Sequence, residues 1–582
     1  MLLPAIYIKK CLRLIGFAML CYASGSYGSQ VRVVFEGNHR DLRDNARIFV
    51  GDVEGRTADG LRRYASTAIA QVEQAIRALG YYNPVITSVV TESDDGLAEL
   101  VLTVEPGEPV RIRSRNVEIE GPGGDDPEFT GQVPRQPAEG DILHHGRYTT
   151  LRQAIQNRAG RLGYFDGEFI TRRLEVDPSE NLADITLHYR TGERYRLGSV
   201  TFLEGHDFDP DLLNRFVTFD PDIPFHADEV AKLNRDLSNS GYFSGVDIDA
   251  SPNRAEDGVI PIDIGLTPRP PRSIGAGVGF STDVGPRVRG NWREHYTNSM
   301  GHRRGADTEL SELRQNVSTW YELPLDPPMT DSLRLGAGYQ RENIEDVESE
   351  RLTLGQQWRH QLDTGWMQVV SIRWEGERFR IGEDERGNSS LLLPGLSYSK
   401  LQANSPLDPS RGYRLQFDVM GAHRAIISDA DILHMNVLAR GLYTLADNHR
   451  FLTRFNFGGV ATNSFSDVPP SLRFFSGGDQ SVRGYGYETL SPRDADGVAI
   501  GGRYQLVGGV EYQYEFIRNW RIAGFVDRGN AVDDVFDRLA TGVGMGIRWV
   551  SPVGPLRLDI AKGLDEEFGG GWRIHFSMGP EL

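Results

Sequence analysis

Cysteine is almost missing from this chain. Of 582 residues only Cys11 and Cys21 carry a thiol. Both lie in the first thirty, MLLPAIYIKKCLRLIGFAMLCYASGSYGSQ. There a basic start (Lys9, Lys10, Arg13) precedes an apolar stretch, Leu14 to Ala23, and then small residues. That order reads as a secretory signal peptide over residues 1–28, cleaved between Gly25 and Ser29. Bulky Leu20 ahead of Cys21 argues against a lipoprotein anchor. The exported chain then has no thiol, which excludes disulfides and cysteine chemistry. Its formal charge moves from −18 to −21 as three cations leave. Long hydrophobic runs are absent too: after residue 30 nothing approaches the roughly 18 unbroken apolar residues of a membrane helix. Such a chain is either soluble or crosses a membrane as a β-barrel, the other structure that satisfies its backbone in lipid. The acidic balance excludes general affinity for nucleic acid. His144-His145 is the only adjacent histidine pair, with no third ligand at metal spacing. No metal, cofactor or catalytic constellation is expected, and the chain does not read as an enzyme. GAGVGF (275–280) and GVGMG (542–546) lack the βαβ context of a nucleotide loop and read as glycine-lightened strand faces.

What is present is repetition. ALGYYNPVITSVV, RLGYFDGEFITRR and NSGYFSGVDIDAS recur with Gly80, Gly163 and Gly241 spaced 83 and 78 residues apart. Each follows a helical run, such as TTLRQAIQNRAGRL, and precedes two strand-like runs, the second being AELVLTVEPGEP, ADITLHYRTGER or IPIDIGLTPRPP. A further strand stands ahead of each helix, so the order is β-α-α-β-β. The glycine ends the helix in a backbone conformation that other residues adopt at a cost. The two aromatics after it are placed to drop under the helix. These residues resemble the POTRA domain, a periplasmic module, in three copies: 29–107, 108–192 and 193–269.

From 270 to 582 the period changes to two. DSLRLGAGYQ puts Leu333, Leu335, Ala337 and Tyr339 on one face, and GYRLQFDVMG, GVGMGIRWV, GPLRLDIAKG and GWRIHFSMG alternate likewise. A soluble sandwich shows such alternation as well. About sixteen segments of this kind, with no helical pattern among roughly 310 residues, favour a transmembrane barrel. The predicted fold is therefore α+β, three POTRA repeats followed by an all-β 16-stranded transmembrane barrel. Trp320, Tyr321, Trp366, Trp374, Trp520, Trp549 and Trp572 near strand ends fit interfacial girdles.

One arginine stands out, in SVRGYGYE (481–488), on a long segment between two strands. In the strands that follow, parity turns Leu506, Val510, Tyr512 and Tyr514 toward lipid, and Glu511 inward. It turns Trp520, Ile522 and Val526 outward, and Phe525 and Asp527 inward. Two carboxylates on neighbouring strands sit within reach of one guanidinium. Two readings stay open on residues alone: Arg483 folds back into the barrel to pair with them, or it lies exposed among solvated loop residues. SVRGY followed by GFVDRGN resembles the paired signature of the BamA/TamA superfamily of outer-membrane assembly proteins, and LDPSRGYRLQF (407–417) resembles its D-P-x-R-G turn. The resemblance spans essentially the mature chain. It implies that Val482, Arg483, Gly484 and Tyr485 tuck into the lumen against wall residues Glu511, Phe525, Asp527 and Gly529.

Three repeats, this length and the ending SMGPEL resemble the TamA branch rather than members with five or two POTRA domains. That branch implies the outer membrane of a Gram-negative bacterium, with the POTRA domains in the periplasm. It also implies a TamB-like, inner-membrane-anchored periplasmic partner, client outer-membrane proteins of β-barrel or autotransporter type, and contact with outer-membrane lipid. Leu582 departs from the aromatic that ends many barrel clients; Phe576 is the nearest substitute. The first strand (Ile274, Gly275, Ala276, Gly277, Val278) must close against the last (Gly571, Trp572, Ile574, Phe576), and glycine weakens such pairing. A poorly zipped seam is thus expected to template an incoming strand, driven by client folding. The competing reading is an outer-membrane anchor for a TamB-like bridge that carries phospholipid.

Overall fold

The computed structural model describes residues 30–92, 98–383, 385–446, 448–551 and 554–579. The expected signal peptide and Leu582 lie outside them. Two compact units are present. The first runs to Ser199 and takes in Pro221–Val230 and Ala250–Ile262; the second takes Val200–Asp220, Ala231–Asp249 and everything from Asp263 onward.

In the first unit, β1 (Val31–Phe35), α1 (Arg40–Val50), α2 (Ala58–Arg77), β2 (Val85–Glu92) and β3 (Ala98–Glu105) form the first repeat. Thr57 caps α2, its hydroxyl accepting from the Gly60 N–H at 3.2 Å. Leu61, Ala68, Val72, Ala75 and Ile76 make one buried stripe along that helix. β3 lies between the others, parallel to β1 and antiparallel to β2. Being central, it buries Leu100, Leu102 and Val104 completely against the helices. The second repeat is β4 (Arg111–Glu120), α3 (Pro122–Asp125), α4 (Pro127–Thr130), α5 (His145–Leu162), β5 (Glu168–Asp177) and β6 (Leu182–Arg190), with sheet order β4-β6-β5. Its first helix is split into two single turns, because Pro127 cannot continue the helix before it. The third repeat, divided between the two units, is β7 (Arg196–Phe202), α6 (Pro210–Asn214), α7 (Ala227–Asn239), β8 (Phe243–Asp249) and β9 (Val259–Pro268), in the order β7-β9-β8.

The recurring glycine does two things. Gly80 and Gly163 have φ of 95° and 87°, and both also sit where the chain of the next repeat passes. A Cβ at Gly80 would collide with the Leu143 carbonyl, and one at Gly163 with the Phe225 side chain. The aromatic pairs behave less uniformly than expected. Tyr164, Tyr242 and Phe243 are buried in their own repeats. Tyr82 instead reaches forward, its hydroxyl 2.6 Å from His145 Nε2, and Phe165 packs edge-on against Phe225 at 4.9 Å. His144 caps α5, accepting from the Gly146 N–H at 3.0 Å. The adjacent histidines thus serve a cap and a joint.

The second unit contains a sixteen-stranded antiparallel sheet in which each strand pairs with the next in sequence. The first eight strands are β10 (Arg272–Ser281), β11 (Gly285–Glu294), β12 (Arg303–Ser311), β13 (Arg314–Pro324), β14 (Asp331–Ile344), β15 (Val347–Gln361), β16 (Met367–Ile381) and β17 (Glu385–Ala403). The rest are β18 (Arg411–Ala422), β19 (Ile432–Leu445), β20 (His449–Thr462), β21 (Tyr504–Ile517), β22 (Trp520–Val532), β23 (Ala540–Ser551), β24 (Gly554–Gly563) and β25 (Trp572–Met578). Apolar side chains point outward: Leu335, Tyr339, Val510, Ile522, Val526 and Met545 are all exposed. Trp520 and Trp549 stack at 5.3 Å at one shared end of their strands, as a girdle requires. Trp320 departs from that expectation. It shares the inward parity of buried Glu322, donates from Nε1 to Asp307 Oδ2 at 3.1 Å, and lies 4.4 Å beneath the Arg334 guanidinium. Within this unit the third repeat grips the barrel turns: Tyr242 Oη donates to the Gly301 carbonyl at 2.7 Å, and the Asp209 N–H to Ser299 O at 2.9 Å.

Candidate functional site

Between β20 and β21 the chain runs for some forty residues, folding back inside the barrel. At its tip Val482 and Tyr485 have no exposed surface and pack with Leu490, Val507 and Ala540. Arg483 between them is 5% exposed. Its Nε and Nη2 donate to the two oxygens of Asp527, at 2.7 and 3.1 Å, and Nη1 donates to Glu511 Oε2 at 2.7 Å. The guanidinium lies 3.3 Å above the Phe525 ring. It therefore uses a bidentate fork, a third charged acceptor and a π face at once, which an ammonium cannot do.

Glycine makes the room. Gly484 has φ of 95°, and a Cβ there would meet the backbone of Lys562 and Gly563. Its N–H donates to His575 Nε2 at 3.0 Å. A Cβ at Gly542 would collide with the Arg483 carbonyl, and one at Gly546 with Asp559. Gly542 is thus a recess for the loop, while Gly546 leaves room for the Asp559 carboxylate. Tyr485 Oη donates to the Thr541 carbonyl at 3.0 Å and accepts from the Asp565 N–H at 3.1 Å. A Cβ at Gly529 would meet Leu506 O and Val507, so this glycine serves the packing of β22 on β21.

The seam is the second feature. β10 and β25 share no ladder of the kind that joins every other neighbouring pair. What joins them lies at one end: the Thr282 N–H donates to Phe576 O, and the Phe576 N–H to Thr282 Oγ1, both at 3.1 Å. Phe280 and Phe576 approach at 6.0 Å between ring centroids. Continued antiparallel from that point, the register brings Met578 beside Phe280. Arg272 to Val278 then face no strand among the described residues. Ile274 and Val278 are more than four-fifths exposed. Gly275, Ala276 and Gly277 lie between them, and Trp572 and Ile574 are exposed on the other side. Ala276 and Ile574 are not opposite each other, as a simple end-to-end closure would have placed them; β25 is shifted along β10 by several residues.

Residues 273–581, more than half of the chain, match the family profile described as the Omp85 superfamily domain. The chain belongs to the Omp85 superfamily. Residues 32–106 match the profile described as POTRA domain TamA domain 1, and residues 112–192 a POTRA profile described as surface antigen variable number repeat. The chain is similar to the outer membrane protein assembly factor BamA of Nitratidesulfovibrio vulgaris, 27% identical over 441 residues that cover 72% of this chain and 55% of that one. It is similar to the BamA of Neisseria meningitidis at 20% identity, covering 83% of this chain and 68% of that one. It spans about half the length of the first of these relatives. Among solved structures, BamA from Haemophilus ducreyi lacking POTRA domains 1–3 superposes with a TM-score of 0.69 at 16% identity, covering 81% of this chain and 99% of that one. This Omp85 chain is an outer-membrane β-barrel preceded by POTRA domains, the first of TamA type.

Strand parity pointed to Glu511, Phe525 and Asp527 but missed half of the Omp85 cluster. Asp559 on β24 accepts from Arg483 Nη1 at 3.2 Å. Arg548 on β23 donates to Glu511 Oε1 at 3.0 Å and Asp559 Oδ1 at 2.6 Å, and Arg454 Nη2 lies 2.7 Å from Asp527. Three guanidiniums and three carboxylates make a closed, neutral cluster. The signal was available: Arg548 sits on the inward face of GVGMGIRWV, and the same parity turns Asp559 inward on GPLRLDIAKG.

Proposed function

We propose that this chain assists the insertion or translocation of β-barrel or autotransporter-type proteins at the outer membrane, with the seam between β10 and β25 as the place where a client strand enters. One observation carries this reading: the edge from Arg272 to Val278, which has no ladder partner among the described residues. Unpaired backbone N–H and C=O groups facing hydrocarbon have no water to bond, so such an edge favours any strand that satisfies them. An incoming hairpin supplies those bonds, and its own folding supplies the free energy. The loop cluster has the complementary role of bracing the wall beside the seam. Val482, Arg483, Gly484 and Tyr485 tie β21, β22, β23 and β24 together and reach β25 through His575, so β25 is held on that side while the free edge of β10 parts. The POTRA sheets, whose outer strands are exposed, are the docking place for a TamB-like partner; the TamA-type first domain supports that assignment.

The test is a lock. Thr282→Cys with Phe576→Cys joins the two strands at the end where they meet. Client insertion into vesicles should fall to background when the disulfide forms and return on reduction. Full insertion by the locked form sinks the proposal. A photocrosslinker at Ala276 distinguishes the phospholipid reading: client strands are expected as adducts, whereas lipid adducts alone make the chain an anchor for lipid transport.

A further inference from the structure

Beside the neutral cluster stands a second group of arginines, crowded together and short of ion-pair partners among the described residues. Arg414, Arg440 and Arg454 lie directly opposite one another on β18, β19 and β20. Like charges in such register repel, with backbones only about 5 Å apart. Arg454 is answered by Asp527. Arg440 makes no ion pair among the described residues, and Arg414 has only the Gln416 amide, at 3.2 Å. On the far side of the sheet order Arg557 of β24 stands opposite Arg548. Arg548 is committed to Glu511 and Asp559, while the buried Nε of Arg557 has no hydrogen-bond partner. Arg440, Arg454 and Arg557 line one cavity of about 50 Å³ together with Gln480 from the in-folded loop. Its carboxylate, Glu511, is already taken by Arg483 and Arg548. Asp479, next to Gln480, acts on Arg440 and Arg557 through its charge but forms no ion pair with them among the described residues.

The positions are not scattered. Each arginine lies three to five residues from the strand end on the side where β10 begins. The group therefore faces the end of the barrel at which β10 begins. Uncompensated guanidiniums withdrawn from bulk water are costly and persist where something answers them. Guanidinium forks match the oxygen geometry of phosphate, and a dianion offsets two of the three free charges at once.

We propose that the barrel lumen carries a site for a phosphate-type oxyanion, formed by Arg440 and Arg557 with Arg414 and Gln480. The group that fills it is a phosphate, free or borne on a lipid headgroup.

Inorganic phosphate titrated into the full-length protein in detergent should raise its thermal unfolding temperature, while chloride at equal ionic strength does not. Arg440→Gln with Arg557→Gln should weaken the apparent phosphate affinity at least tenfold. Gln480→Glu, which places a carboxylate at the cavity without removing any arginine, should abolish the phosphate response in a protein at least as heat-stable. It keeps the test open if the double variant does not fold. Native mass spectrometry then separates the sources. Phospholipid retained by the unmodified protein and lost from Gln480→Glu identifies a headgroup; a phosphate-dependent shift with no retained lipid identifies the free ion. No stabilisation by phosphate over chloride, or an equal response in Gln480→Glu, overturns the proposal.

Discussion

The repeats and the barrel use the same alternating strand with opposite polarity. In β3 the buried face is Leu100, Leu102 and Val104, pressed on helices, and the polar face looks out. In β22 the buried face includes Arg521, Phe525 and Asp527, while Ile522 and Val526 look out. A strand's period of two says only that its faces differ. Which face turns inward depends on the medium outside: water rewards a polar exterior, and hydrocarbon an apolar one. An inverted barrel must then solve inside itself the problem that water solves for the repeats. It collects charges in a low-dielectric interior and pairs them, and Arg483 is where that pairing is densest.

The sharpest way to break the comparison is to remove that cation. Arg483→Ala leaves Glu511, Asp527 and Asp559 short of a partner, and breaking a buried pair of this kind costs about 3–5 kcal/mol. The barrel should lose its resistance to heat in semi-native electrophoresis; an unchanged melting profile refutes the account of the cluster. Arg483→Lys should recover only part, because one ammonium cannot span three carboxylates. The repeat counterpart is Leu102→Ala, a cavity under α2 worth about 2–5 kcal/mol. Faster hydrogen exchange should be confined to residues 30–106, with the barrel's melting unaltered. Val526→Arg places charge on the outer face of β22 and should destabilise the membrane-embedded barrel by up to about 2–4 kcal/mol. In a repeat, an outward arginine is ordinary, as Arg32 on β1 illustrates. A neutral result for Val526→Arg would mean that this face does not meet lipid.

The smallest effect concerns pH. Burial first, then the charges of His144 and Arg77, hold the His145 imidazole below its ordinary pKa. The folded joint therefore favours the neutral ring. Its contribution is fully present above about pH 6.5 and is lost as pH falls through the lowered value. The protection factors of the Val110 and His145 amides, which donate to Gly80 O and Ala78 O across the joint, should fall on acidification while those of the barrel amides hold. Unchanged protection across that range would remove His145 from the joint's energetics.

Much was legible because the relevant physics is local. Helix stripes, glycine stops and period-two alternation all concern residues a few positions apart. Parity then sorted Glu511, Phe525 and Asp527 to the inside without any coordinates. It turns Asp559 inward as well, but that Asp559 and Arg454 meet this cluster requires knowing which strands a folded-back loop touches. Trp320 was misplaced because nearness to a strand end was used for it, whereas the parity of β13 turns it inward.

The inward turn of Glu511, Phe525 and Asp527 was thus decided by the chain alone, since successive side chains of a strand point to opposite faces; the pairing of Arg483 with them was not. The offset between β10 and β25, the surplus arginines gathered at one mouth, and the forward reach of Tyr82 and Phe165 came from closure and packing. Those depend on which distant segments meet, and many pairings of the same alternating strands satisfy the local rules equally well until the whole wall is assembled.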